Sequence, residues 1–138
     1  MARGTVAPIA RAIVQALRAN TALKTALNGG IHEGVAPLGS EYPWLTYGLH
    51  YGPQERAWGS TVLTPGWDIF VFGRDQVEAR NLDQLVMEAL DDAALTVDGQ
   101  STLFCRRILD MSSADVDEEG LKVYQVGGVF ETWTNQDL

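Results

Sequence analysis

Two aromatic-rich segments, separated by a long turn-rich one, constrain the fold of this chain more than any other feature. Trp44–Tyr51 and Trp67–Phe72 are rich in aromatic and β-preferring residues and predict two strands. The segment between them, Gly52–Gly66, is far longer than a minimal hairpin requires. We therefore expect a long loop that protrudes from the domain and suits an assembly surface better than a catalytic pocket.

Helical patterns precede and follow these strands. Apolar residues recur at helical spacing from Ile9 to Leu17, with a break near Asn20. After the second strand, Asp75 and Glu78 form an acidic capping pattern that predicts a helix ending near Asp92. The predicted apolar stripe of this helix consists of Val77, Leu82, Leu85, Val86, Ala89 and Leu90.

The C-terminal third of the chain predicts two more strands. These are Thr102–Asp110 and Lys122–Trp133, joined by the acidic segment Ser112–Gly120. Within the last strand, Gly127–Gly128 indicates a bulge or a close approach of the backbone. The predicted order is α-β-β-α-β-β, in a single domain over residues 1–138. The predicted fold class is α+β, with one mainly antiparallel four-stranded sheet and two helices packed on one face.

Charge is distributed unevenly along the chain. The first 30 residues contain four basic residues and no acid, so the formal net charge of -8 leaves -12 on the remainder. Such a remainder disfavours tight DNA binding, because phosphate-binding surfaces concentrate Lys and Arg. The acids suit either simple solubility or a wall along which DNA slides without sticking.

The sequence carries no recognisable catalytic, metal-binding or cofactor-binding motif. His32 and His50 belong to no ligand pattern, and Asp115–Gly120 resembles a calcium loop only in its first half. The single Cys105 lies among apolar residues and predicts a buried structural thiol. We therefore expect a protein that is not an enzyme and that uses no cofactor.

Membrane and secretion signals are also missing from the sequence. No apolar run is long enough to span a bilayer, and Met1–Pro8 lacks the features of a secretory signal. These observations predict a protein that is made in a cytoplasm and has no membrane partner.

The order of these segments resembles a known family. The features that carry the resemblance are the opening helix followed by Leu27–Ile31, the Tyr42–Tyr47 strand, the Trp67–Phe72 strand before a helix ending in Met87–Leu90, and a closing strand after an acidic turn. Their order resembles that of the tail-terminator, or tail-completion, proteins of long-tailed bacteriophages. The resemblance spans nearly the whole chain and depends on order and spacing, not on a short signature.

The resemblance implies a structural virion protein at the head-proximal end of the tail, assembled in the host cytoplasm. It implies a ring, usually hexameric, that caps the tail tube and then offers the head-joining surface. The implied partners are other copies of the chain, the tail-tube protein and a head-completion or neck protein, with double-stranded DNA as passing cargo. A second interpretation remains open, namely a small α+β ligand-binding or regulatory dimerisation domain.

The candidate site residues form two groups. The first lies on and beside the long loop and is expected to contact other subunits, because Trp and Arg are favoured at contact hot spots. Its members are His50, Tyr51, Arg56, Trp58, Val62 and Leu63. The second consists of acids expected to face the channel of a ring: Asp115, Asp117, Glu118 and Glu119.

Overall fold

The computed structural model describes residues 6–51, 54–55, 61–62, 65–97 and 101–134. Three helices lie in this part of the chain: α1 (Val6–Ala19), α2 (Thr21–Ala26) and α3 (Gln76–Leu90). The strands are β1 (Ile31–Glu33), β2 (Trp44–Tyr51), β3 (Gln54–Glu55), β4 (Thr61–Val62), β5 (Gly66–Gly73), β6 (Ala93–Val97), β7 (Ser101–Val116) and β8 (Lys122–Thr134).

Six of these strands form one sheet, in the order β1-β2-β5-β8-β7-β6. β1 runs parallel to β2, and all other neighbours are antiparallel, so the sheet is mixed. It curls into a half-barrel. β3 and β4 pair with each other as a separate two-stranded sheet, between the end of β2 and the start of β5.

The predicted four-stranded sheet with two helices is therefore wrong, although the α+β class holds. β1 and β6 are short strands without a strong pattern of their own, and the sheet holds them by pairing with β2 and β7. The break near Asn20 separates two helices, because the Asn20 side chain accepts a hydrogen bond from the N–H of Leu23 and caps α2. β7 also extends six residues past the predicted end at Asp110.

The hydrophobic core lies between the helices and one face of the sheet. Alternate residues of β5, namely Trp67, Ile69 and Val71, point to this face and are almost completely buried. The buried residues of α3 are Ala79, Leu82, Val86 and Leu90. Asp75 caps this helix as predicted, but Val77 is 62% exposed and does not belong to the core.

Cys105 is buried in this core, as predicted, and burial is the main reason that its pKa rises to about 12. A thiol with this pKa is almost entirely protonated at neutral pH and is a poor nucleophile. The structural interpretation of the cysteine is therefore consistent with its surroundings.

The glycine pair in β8 allows the close approach that the sequence predicted. A Cβ atom on Gly127 would overlap the Ile69 carbonyl of β5, and one on Gly128 would overlap the Leu109 carbonyl of β7. β8 itself continues without a register shift. The irregularity lies in its neighbour, between Arg107 and Leu109 of β7.

Replacement of Gly128 by Ala is expected to destabilise the fold, because the added methyl group must push two backbones apart. We expect a loss of about 1–3 kcal/mol in the free energy of unfolding. Gly48→Ala in β2 is the matched control, since no atom lies within 4 Å of the added Cβ. Chemical denaturation of both variants measures the difference, and equal stabilities would contradict the close-approach interpretation.

Candidate assembly surfaces

The most exposed part of the sheet is the far half of β7. β6 covers β7 only from Ser101 to Cys105. From residue 106 to residue 116, the side of β7 that faces away from β8 has no strand partner among the described residues. We call this stretch the free edge. Its Arg107 N–H donates to the Asp91 carboxylate, and the backbone groups beyond Arg107 are of the kind that another chain can pair with.

Large apolar side chains accompany the free edge. Nine large hydrophobic residues are exposed in the described part of the chain, and five of them belong to the β7–β8 hairpin. These five are Ile108, Leu109, Met111, Val116 and Leu121, each about half exposed. Leu109 and Met111 pair with Val129 and Gly127, so both lie on the sheet face turned away from the helices. Concentrated exposure of this kind is typical of a contact surface.

A buried arginine fixes the base of the free edge. The Arg107 side chain is 4% exposed, and its guanidinium makes a two-pronged ion pair with Asp83 of α3, with N–O distances of 2.5 and 2.8 Å. It also lies 4.7 Å above the ring of Phe130. Burial alone would lower the pKa of Arg107, but Asp83 and Asp110 outweigh burial and raise it. The guanidinium is therefore charged and held in place where β7 leaves the core.

A second arginine fixes the far end of the hairpin. Arg74 lies 4.1 Å above the ring of Tyr42 and makes a 2.6 Å ion pair with Asp117 in the β7–β8 turn. Asp117 also accepts hydrogen bonds from the N–H groups of Glu119 and Leu121. The hydrogen bond from the Leu121 N–H is the main reason that the pKa of Asp117 lies below its ordinary value. The ion pair with Arg74 and the hydrogen bond from Glu119 lower it further. The turn is thus tied to the end of β5.

A groove of about 390 Å³ lies beside this turn, and we call it the turn groove. It is lined by the loop 36–40, which we call the loop wall, by the turn residues 117–119, which we call the turn wall, and by Tyr42, Trp44 and Arg74. Tyr42 and Trp44 stack with their ring centres 4.1 Å apart. Leu38, on one wall, is 96% exposed.

The four predicted channel-facing acids have different surroundings. Asp117 is paired with Arg74, so its charge is compensated. Glu118 and Glu119 are exposed beside the turn groove. Asp115 is exposed on β7, in the same row as Met111, and accepts a hydrogen bond from the N–H of Val116. The predicted acidic turn therefore contains one structural acid and three that face solvent.

The predicted loop contacts lie only partly within the described residues. His50 is exposed and its Nδ1 lies 3.1 Å from the Asp68 carboxylate. The half-buried Tyr51 donates a hydrogen bond to Glu131, and Val62 belongs to β4. Arg56, Trp58 and Leu63 lie outside the described residues. No finding tests the contact role of these six residues, which stays a prediction.

Sequence reasoning missed the residues that define the surfaces. Leu109 and Met111 fall in and beside a predicted strand, where apolar side chains are usually buried, and neither was predicted to be a contact residue. Arg74 and Arg107 belong to no sequence motif. Their roles depend on which helices and strands lie next to each other in the folded chain. The one available signal was the apolar character of Ile108–Met111 next to an acidic segment.

Two kinds of functional site are absent from the described part of the chain. No three or more His, Cys, Asp and Glu side chains are grouped to hold a metal ion there. Among the same residues, no helix has the length and apolar character that crossing a membrane requires.

Removal of the Asp83 charge is expected to weaken the base of the hairpin. Asp83→Asn leaves Arg107 buried without its main counter-charge, which costs about 3 kcal/mol in the free energy of unfolding. The matched control is Asp92→Asn, because Asp92 pairs with Arg106 at the surface and both side chains are more than half exposed. Such a pair contributes at most about 1 kcal/mol. Denaturant titration measures the free energy of unfolding of both variants. Similar losses of stability in the two variants would contradict the assignment of Arg107 and Asp83 as a buried ion pair.

Comparison with known proteins agrees with the virion interpretation. No curated protein matches the chain. A chain of the solved structure described as the virion of a native gene transfer agent (GTA) particle has a similar fold, with a TM-score of 0.68 and 16% sequence identity. That match covers 90% of this chain and 92% of the other. The family model of tail completion protein gp17 matches residues 11–135. The chain therefore belongs to the tail completion protein gp17 family and is a structural protein of the phage tail.

Proposed function

We propose that this protein caps the phage tail tube as a ring of identical copies, usually six, and provides the surface that joins the tail to the head. Its proposed partners are the tail-tube protein and a head-completion or neck protein, at the head-proximal end of a tail assembled in the host cytoplasm. The observation that best supports the proposed ring is the free edge of β7, with its half-exposed apolar side chains.

The two lateral edges of the sheet are different surfaces. One consists of β6 along the first part of β7 and of the free edge beyond it. The other is the short parallel strand β1, followed by a loop in which Val35 is 82% exposed. A contact between unlike edges is heterologous, and it closes into a ring when the rotation per subunit fits. Pairing of like edges would give a dimer, which corresponds to the alternative of a dimerisation domain.

The segment between β2 and β5 is proposed as a further contact. The pairing of Gln54–Glu55 with Thr61–Val62 gives this segment the start of an antiparallel hairpin. Trp58 lies midway in the sequence between these paired strands, and Trp is among the residues most often found at contact hot spots.

The ring is proposed to let double-stranded DNA pass without holding it. Of the four predicted acids, Asp115 is our candidate for the channel, because it is exposed and lies on the sheet face away from the helices. Carboxylates repel phosphates, whereas lysines bind them with release of counterions.

Self-association tests the ring directly. Leu109→Glu with Met111→Glu is expected to weaken association by at least about tenfold, because a charged residue replaces an apolar contact. The fold should survive, since both side chains are already half exposed. Light scattering after size exclusion, with negative-stain images, measures the assembly. Val77→Glu on α3 is the control, and equal assembly by all three proteins would refute the free-edge contact.

Trp58→Ala should reduce assembly in the same measurement, by about 2 kcal/mol of association free energy. The melting temperature is expected to stay unchanged. A lowered melting temperature with normal assembly would instead assign Trp58 to the core of its own domain.

The channel role of Asp115 has its own test. Asp115→Lys should slow DNA delivery by particles that assemble normally, because the added positive charges retain the duplex. Glu88→Lys, an exposed change on α3, is the control. Normal delivery by the Asp115 variant would remove Asp115 from the channel and leave the ring intact.

A further inference from the structure

The turn groove has the character of a docking site for a basic segment. We propose that it binds the exposed corner between α1 and α2 of a second copy, where Arg18 and Lys24 lie. The inference rests on the self-association proposed above and names a contact that the free edge does not include.

The walls of the groove are held in place before any partner arrives. The Ser40 hydroxyl and N–H both donate hydrogen bonds to the Pro37 carbonyl, at 2.6 and 3.1 Å, which shapes the loop wall. Arg74 and Asp117 fix the turn wall through their ion pair, and the Arg74 guanidinium also donates to the Lys122 carbonyl. A pre-formed site loses little conformational entropy on binding.

The groove has a negative charge that its own residues do not neutralise. Arg74 is the basic residue that lines it, and its charge is compensated by Asp117. Glu118 and Glu119 remain as two exposed carboxylates on the turn wall, and the loop wall carries the exposed Leu38. The site therefore suits a partner that combines positive charge with a small apolar surface.

The chain itself presents such a partner surface. Arg18 near the end of α1 and Lys24 in α2 are both exposed, and the equally exposed Ala22 lies between them in sequence. No acid occurs in the first 30 residues, and Glu33 of β1 is the acid that lines a second groove together with Arg18. Neither Arg18 nor Lys24 lines the turn groove of its own chain, so the complementary surfaces meet only between copies.

This contact changes the role of two of the predicted channel acids. Glu118 and Glu119 face protein in this arrangement, and Asp115 is the acid left for the channel. The contact is also heterologous, because it joins two different surfaces, and it is therefore compatible with a ring.

Charge reversal provides the test. The groove variant is Glu118→Lys with Glu119→Lys, and the corner variant is Arg18→Glu with Lys24→Glu. Each alone should weaken self-association by at least about tenfold at low ionic strength, because like charges then meet at the contact. Their equimolar mixture should assemble again, since every groove then faces a corner of opposite charge in an alternating ring. Glu88→Lys with Arg80→Glu, on exposed positions of α3, is the control pair.

The outcomes separate this contact from the ring. The contact is wrong if the wild-type chain forms a ring and neither variant weakens it, or if the mixture of the two variants fails to assemble. Either result leaves the proposed ring itself unaffected. Should the wild-type chain be monomeric in solution, a zero-length carboxyl-to-amine cross-linker applied to assembled tails decides. Cross-links from Lys24 to Glu118 or Glu119 between copies support the contact, and their absence overturns it. Absence of the chain from the tails overturns the proposed function itself.

Discussion

The ion pair between Arg107 and Asp83 determines where the exposed part of this protein begins. A buried guanidinium that pairs with Asp83 and, more weakly, with the exposed Asp110 contributes little net stability, because desolvation offsets much of the attraction. The ion pair instead fixes geometry, because two parallel N–H···O bonds to Asp83 and the contact with the Phe130 ring restrict the guanidinium to one orientation. β7 is thereby tied to α3 at the residue where the bulge changes its register, and the free edge leaves the core from a rigid base.

The sequence predicted the elements whose signals are local. α3 was predicted from its Asp75 cap and its periodicity, and β2, β5 and β8 from their aromatic and β-branched residues. The part of β7 beyond the predicted end at Asp110 has no such signal, because every residue from Met111 to Val116 is exposed. This part is a strand because β8 pairs with it as far as Lys122, and that pairing is invisible in a single strand's sequence. The sequence predicted only a brief extended piece at Ile31–His32 for β1 and no strand for β6, because three and five residues are too few for a clear strand pattern.

The candidate surfaces were less predictable than the fold. Alternation along a strand indicates which side chains share a face of the sheet. The bulge at Ile108 shifts the register of β7, so the odd-numbered residues face the core before the bulge and face away from the helices after it. Beyond the bulge, an apolar residue is therefore not necessarily a buried one. The acidic turn was recognised, yet the difference between Asp117 and its two glutamate neighbours depends on Arg74, which is 43 residues away in the chain. Only the assembled sheet brings that guanidinium to the turn.

Charge on the free edge also favours one mode of self-association over another. Asp110 and Asp115 are exposed on β7, so antiparallel pairing of two free edges that is centred near either residue would bring acids of the two copies close together. Like charges across a strand pair are destabilising, and charged edge residues commonly discourage indiscriminate pairing. β1 at the other edge of the sheet is a different surface, because its three residues are Ile31, His32 and Glu33 and it contains no counterpart of the two exposed aspartates. These acids therefore disfavour pairing of two like edges, which is consistent with the head-to-tail arrangement that we propose.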